Sequence, residues 1–291
     1  MKAYVFPGQG AQYSGMGKDL YESSSVAKKL FKTANDVLDF DIAKIMFEGT
    51  EEELVQTKVT QPAIYIYSVI LAKVKKDLFK PDMVAGHSLG EFSALAAIDG
   101  LSFEDGLKLV SKRAMLMQKA CEAVPSTMAA VLKIEATVLE KILMTITDDI
   151  VVAANYNTPE QIVISGTVTG IEKATGLIKQ ANGRVIPLKV GGAFHSPLMQ
   201  LAHDELSEAI MATDIDMPYC PIYQNVNGQP VRNPDIIKSN LVKQLTSPVR
   251  WTQTIQNMLA AGANSFTEVG PGTALQGMVR RIKSDVETKS L

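Results

Sequence analysis

The stretch Pro81-Asp82-Met83-Val84-Ala85-Gly86-His87-Ser88-Leu89-Gly90-Glu91-Phe92-Ser93-Ala94-Leu95-Ala96-Ala97-Ile98-Asp99-Gly100 decides the fold. Met83 to Ala85 reads as a short strand, Gly86-His87-Ser88-Leu89-Gly90 as a G-x-S-x-G turn, and the Ala- and Leu-rich run after it as a helix. A strand feeding a helix through a tight turn is a building unit of a largely parallel sheet with helices on its faces. At such an elbow the serine sits on a strained turn, and the flanking glycines relieve the crowding around it. Its hydroxyl then stands at a helix N-terminus, where the dipole favours developing negative charge. The plainer alternative is a serine that merely caps the helix.

Working outward, Lys2 to Phe6 (KAYVF) is a second short β-rich run, stopped by Pro7 and the glycines of PGQG. Helical patterns fill Asp19 to Lys80. The most apolar of them, Ala63 to Ala72, reads as a buried helix beginning after a stop at Pro62, and it is too short to span a membrane. From Thr127 the pattern changes to strand (MAAVLK), helix (EATVLEKILMTI), strand (DIVVAANY), turn (NTPE), strand (QIVIS), helix (IEKATGLIKQ), turn (NG) and strand (RVIPLKV). That β-α-β-β-α-β order is the ferredoxin-like pattern. The expected architecture is therefore α/β: a large domain of residues 1–124 and 191–291 carrying a parallel sheet, with residues 125–190 inserted as a small subdomain. The competing arrangement has these strands extend the main sheet.

Composition narrows the chemistry. With 291 residues, 46% of them hydrophobic, the chain can bury a large core, which excludes collagen-like, disordered and disulfide-scaffold classes. A net charge of −2 argues against a general nucleic-acid binder. Cys121 and Cys220 cannot build a disulfide framework or a cysteine-rich zinc site, and no Walker A motif, zinc-ligand spacing or complete G-x-G-x-x-G is present. No metal or cofactor is expected. MKAYVFPGQG lacks an apolar signal region, so the expected location is the cytoplasm, away from membranes.

A serine nucleophile needs a base, and only three histidines exist. His87 adjoins the serine on the elbow, where neighbouring side chains diverge. His203 lies in a helical run beside Asp204 and Glu205, on what reads as a solvated face. His195, in the glycine-rich loop GGAFHSPLM between a strand and a helix, is the base by elimination. No aspartate stands out to orient it, although a backbone carbonyl or an amide can do so. Two donors are needed for a tetrahedral oxyanion. The Leu89 N–H is the first, and the loop Pro7-Gly8-Gln9-Gly10 offers a second, with Gly270-Pro271-Gly272 in competition.

VFPGQGAQYSGMG, GHSLGE, RAMLMQ, AFHSPLM, QLTSPVRW and EVGPG occur together and in order. In this the chain resembles the malonyl-CoA:acyl carrier protein transacylases over essentially its whole length. The resemblance implies a hydrolase-like α/β domain with an inserted ferredoxin-like subdomain. It also implies Ser88 as nucleophile, His195 as general base, the amides of Gln9 and Leu89 as oxyanion hole, and Gln244 as the residue whose carbonyl supports the histidine. Arg113 matches the arginine that pairs with the free malonyl carboxylate. Phe194, in Ala193-Phe194-His195, resembles the malonyl-selecting form of related polyketide acyltransferase domains, where its bulk crowds an α-methyl branch.

The implied reaction is ping-pong malonyl transfer from malonyl-CoA to the phosphopantetheine thiol of acyl carrier protein, in fatty acid biosynthesis, with both thioesters as substrates. The rivals are a serine thioesterase or esterase, an acyltransferase of a polyketide pathway, and a non-catalytic docking module. An acidic carrier protein needs local basic surface. Arg280, Arg281 and Lys283 are the favoured dock, ahead of Lys73, Lys75 and Lys76.

Overall fold

A computed structural model describes residues 1–291. Its strands are β1 (Lys2–Phe6), β2 (Met83–Gly86), β3 (Ser126–Leu132), β4 (Val151–Thr158), β5 (Gln161–Thr167), β6 (Arg184–Pro187), β7 (Ile222–Tyr223), β8 (Pro230–Val231), β9 (Ser265–Glu268) and β10 (Glu287–Ser290). They form two sheets. The larger has the order β10-β9-β1-β2-β7-β8 and is parallel except for β8, which returns antiparallel on β7.

The central strands explain why this sheet needs helices on both faces. Tyr4 and Phe6 of β1 enter one buried cluster, while Ala3 and Val5 enter another on the opposite face. Val84 of β2 joins the first cluster, and Met83 and Ala85 join the second. Both faces are apolar, as a parallel sheet wrapped on two sides requires. Helix Thr57–Val74 packs against helices Gly90–Ala97 and Phe103–Ala123 on one side, and helices Trp251–Ala260 and Ala274–Ile282 cover the other.

The second sheet has the order β4-β5-β3-β6, antiparallel throughout, with helices Ala136–Met144 and Val168–Gln180 on one face. This is the ferredoxin-like order. Its strands form a separate sheet and do not extend the larger one. Ala129 and Val131 of β3 point into the subdomain's own core, whereas Met128 and Ala130 join the core of the large body. The sheet's second face is thus turned toward the large body.

A bulge in β4 makes the link between the two bodies. The pairing with β5 slips between Ala153 and Asn155, and Ala154 O accepts the Val249 N–H at 2.8 Å. Val249 O in turn accepts the Tyr156 N–H at 2.9 Å.

One expectation needs correction. Pro62 does not begin a helix: helix Thr57–Val74 runs through it. The ring removes one backbone donor in the second turn, yet Ala63 to Ile66 and Val69 to Ala72 are buried, and that burial outweighs the lost bond. The C-terminal strand β10 and the two-residue strands β7 and β8 were not legible as separate elements. No helix is long and apolar enough to cross a membrane.

Candidate active site

Strand β2 ends at Gly86 and helix Gly90–Ala97 starts four residues later, with Ser88 between them at φ 54°. This left-handed conformation costs about 1–2 kcal/mol for a non-glycine residue. It is held by side chains. Asn225 Oδ1 accepts the Ser88 N–H at 2.7 Å, and Gln244 Nε2 donates to the Ser88 carbonyl at 3.0 Å. The flanking glycines are sterically required: a Cβ on Gly86 would lie 1.9 Å from the Gly90 carbonyl carbon, and one on Gly90 would lie 2.1 Å from Phe6 O.

His195 reaches the nucleophile from the loop after β6, itself at φ 56°. Its Nε2 is 2.8 Å from Ser88 Oγ, and its Nδ1 is 3.0 Å from the backbone oxygen of Gln244. A carbonyl can only accept, so Nδ1 carries the proton and donates to it. Nε2 is left bare to accept from the Ser88 hydroxyl. Burial first, and the nearby Arg113 cation second, push the imidazole down to about 3, so it is neutral and able to take a proton at pH 7.

Arg113 comes from the middle of helix Phe103–Ala123 and is 1% exposed. Its Nη1 donates to Gln61 Oε1 at 2.6 Å, and its Nη2 donates to Ser88 Oγ at 3.0 Å and to Gln244 Oε1 at 3.2 Å. It takes part in none of the chain's ion pairs. Burial lowers it to about 10, which leaves it cationic at neutral pH. A buried guanidinium surrounded by neutral acceptors, beside a nucleophile, is a ready seat for a carboxylate.

These groups line a cavity of about 200 Å³ together with Gln9, Leu89, Met117, Phe194 and Met278. That is below the roughly 300–1,000 Å³ of a drug-sized ligand site, so it suits a short acyl group. The opposite wall belongs to the small subdomain, through Met128, Asn155, Asn157 and Val163. Neither the Gln9 nor the Leu89 N–H donates to another group of the protein. The Gly270 loop lies underneath: a Cβ there would strike Pro7 Cγ at 2.4 Å, so it buttresses the Pro7–Gly8 turn.

The other histidines are placed elsewhere. His87 bonds Asn157 Oδ1 through Nε2 at 2.9 Å and lies against the Trp251 ring, with burial lowering its pKa. His203 is half-buried on helix Gln200–Ala212, with Nδ1 2.9 Å from Asp204. Arg280, Arg281 and Lys283 are exposed at the end of helix Ala274–Ile282. One turn back, Met278 reaches the cavity. Lys73, Lys75 and Lys76 sit at the C-terminal end of helix Thr57–Val74, where cations complement the helix dipole. No group of three or more His, Cys, Asp or Glu side chains could hold a metal ion.

Sequence reasoning missed Gln61, Gln224, Asn225 and Glu91, all buried around the elbow. Gln61 sits one residue before Pro62 in an otherwise apolar run, and a glutamine at that point was its only signal.

Fold and site together define a serine acyl-transfer centre on an α/β scaffold: an elbow serine, a neutral imidazole oriented by a carbonyl, and a caged cation. The chain belongs to the acyl transferase domain family, whose model matches residues 3–291. It is 43% identical to a malonyl CoA-acyl carrier protein transacylase of Bacillus subtilis, over 98% of this chain and 92% of that one. Among solved structures it resembles an acyl carrier protein S-malonyltransferase from Vibrio cholerae, with TM-score 0.95, 37% identity, and coverage of 100% of this chain and 96% of that one. It also resembles a malonyl-transacylase in complex with a type II PKS acyl carrier protein, with TM-score 0.95, 34% identity, and coverage of 100% and 95%.

Proposed function

We propose that the chain transfers a malonyl group from malonyl-CoA to the phosphopantetheine thiol of an acyl carrier protein, through a malonyl ester on Ser88. The observation that carries this reading is Arg113, a buried cation without a carboxylate partner, 3.0 Å from the nucleophile. A thioesterase acting on neutral acyl groups has no use for it. The names of the relatives point the same way.

In the first half-reaction the malonyl carboxylate docks on Arg113 and the thioester carbonyl faces Ser88. His195 Nε2 takes the hydroxyl proton as Oγ attacks, and the amides of Leu89 and Gln9 receive the oxyanion. Collapse breaks the C–S bond, and the proton on His195 passes to the departing CoA thiolate. In the second half-reaction the carrier thiol gives its proton to Nε2 and attacks the ester, and Ser88 recovers a proton as it leaves. One thioester replaces another, so the exchange is near thermoneutral and needs no nucleotide, metal or organic cofactor. Phe194, buried against the same cavity, sets the preference for an unbranched malonyl group.

Residues 1–124 and 191–291 form the catalytic body in this reading, and 125–190 the inserted subdomain. The carrier protein docks on Arg280, Arg281 and Lys283, close to the cavity mouth at Met278. The reaction supplies fatty acid biosynthesis in the cytoplasm. Intact-mass measurement after mixing with malonyl-CoA tests the proposal. A malonyl adduct is expected on the protein, absent in Ser88→Ala and discharged by holo carrier protein. No adduct on the wild-type chain, or one that only water removes, would overturn it.

A further inference from the structure

The transfer steps leave unused a set of polar groups buried behind the elbow. Glu91, in the first turn of helix Gly90–Ala97, is fully buried. Its Oε1 accepts the backbone N–H of Asn225, and its Oε2 accepts from Gln224 Nε2 at 3.5 Å. Asn225 then clamps the elbow on both sides of His87: its Nδ2 donates to Gly86 O at 2.7 Å, and its Oδ1 accepts the Ser88 N–H at 2.7 Å. Gln224 faces the other way. Its Oε1 accepts from Asn240 Nδ2 at 2.9 Å, and its Nε2 reaches Ile237 O at 3.4 Å. Asn240 and Ile237 belong to helix Pro234–Gln244, whose last residue supplies the carbonyl that orients His195.

We propose that Glu91 is a positioning residue for the transfer chemistry: through Asn225 it locks the backbone of Ser88, and through Gln224 and Asn240 it fixes the helix end that orients His195. The nucleophile and its base come from segments 107 residues apart, and this network ties their supports to one carboxyl group. The chemistry of the residue fits the task. Two donors, the Asn225 amide and the Gln224 side chain, converge on one buried side chain, and a carboxylate accepts on both oxygens. A glutamine in its place would set its own NH₂ against one of them. Burial pushes Glu91 up to about 8, opposed by these hydrogen bonds and by the field of Arg113, so the carboxylate that accepts both donors prevails as pH rises through that value, and there a glutamine differs from it most. Arg113 keeps its own anchor on Gln61 through Nη1 and meets the network only through Nη2 on Gln244, so the network acts more on the reacting pair than on carboxylate binding.

The inference deepens the acyl-transfer reading and rests on it for one of two probes. Ser88 modification is followed by intact mass, per folded molecule, with a serine-directed sulfonyl fluoride and with malonyl-CoA. At about pH 9, where Glu91 is ionised, Asn225→Ala and Glu91→Gln should slow modification by both probes about tenfold to a hundredfold, the scale of a misplaced reacting pair. The KM for malonyl-CoA should move less than the rate, within about threefold, since Gln61 still anchors Arg113. A purely structural role would lower the folded fraction and leave the rate per folded molecule unchanged, and that result overturns the proposal. If Glu91→Gln does not accumulate folded, Asn240→Leu, which touches neither Ser88 nor His195, decides in its place: slower modification supports the network, and wild-type rates overturn it. A wild-type chain that reacts with the sulfonyl fluoride but not with malonyl-CoA overturns the functional reading alone.

Discussion

Replacing Arg113 with methionine keeps an aliphatic stem and removes the cavity's cation. In the free protein the guanidinium donates only to the neutral acceptors Gln61, Ser88 and Gln244. A bound malonyl carboxylate would add two charge-assisted hydrogen bonds, each worth about 1.5–3 kcal/mol. Their loss amounts to about 3–6 kcal/mol, or roughly 10²–10⁴ in kcat/KM for malonyl-CoA at about 1.4 kcal/mol per tenfold. Acetyl-CoA, with no carboxylate to bind, should lose less than about tenfold. Stability should move little. Unpairing the amide oxygens of Gln61 and Gln244 costs about 1–3 kcal/mol each, while removing a buried cation that makes no ion pair relieves a desolvation penalty of several kcal/mol, less its attraction to Glu91. The assay is single-turnover acylation by each thioester, with a thermal melt on the same preparation. Equal losses for malonyl and acetyl groups would sink the carboxylate-clamp argument. So would a melting midpoint lowered by more than about 5 °C, because the residue would then be holding the fold.

His195 sits at about 3 through burial and the Arg113 field, so kcat/KM for malonyl-CoA should show no acid limb near 6.5; Arg113→Met should move that limb upward. Because this imidazole is depressed in the folded state, its contribution to stability is complete above 6.5 and is lost as pH falls toward 3. Denaturant melts of wild type and His195→Gln should therefore converge over that window. Phe194→Ser should raise the ratio of methylmalonyl to malonyl transfer about tenfold, and an unchanged ratio would discard the steric account. Gln244→Leu keeps the carbonyl that orients His195 but removes the bonds to Arg113 and Ser88 O; activity should fall about tenfold with the pH profile unmoved. Charge reversal at Arg280 and Arg281 should raise the carrier-protein KM about tenfold and leave acylation by malonyl-CoA unchanged; an unmoved KM puts the dock elsewhere.

The parts of the fold legible in the sequence are those written in local pattern. The elbow needs glycine at 86 and 90 for contacts within a few residues or with β1, and G-x-S-x-G records that need. The ferredoxin-like order could be read because each of its six elements is long enough to carry its own periodicity. Strands β7 and β8, two residues each, carry none. Pro62 misled for the opposite reason: a strong local signal gave way to the burial of the residues around it. At the site, His195 could be found by elimination among three imidazoles. Glu91, Gln224 and Asn225 could not, since their meaning lies in hydrogen bonds spanning more than 130 residues that leave no spacing to detect.

The backbone seam at Val249 has a consequence for how acyl preference can change. Ser88, His195, Arg113 and Gln244 all stand outside the segment 125–190, whereas Met128, Asn155, Asn157 and Val163 within it form the facing wall. Beside this wall the segment is held by two backbone hydrogen bonds to Val249, by Thr252 Oγ1 donating to Tyr156 O at 3.0 Å, and by the 2.9 Å contact of Asn157 with His87. The reactive groups and this facing wall therefore come from different stretches of the chain, although Phe194 brings part of the cavity's width from beside His195. Substitutions in 125–190 can reshape the space offered to the acyl group while the 2.8 Å Ser88–His195 contact stays as it is. Such a division lets selection or an engineer exchange one acyl unit for another without rebuilding the chemistry that moves it.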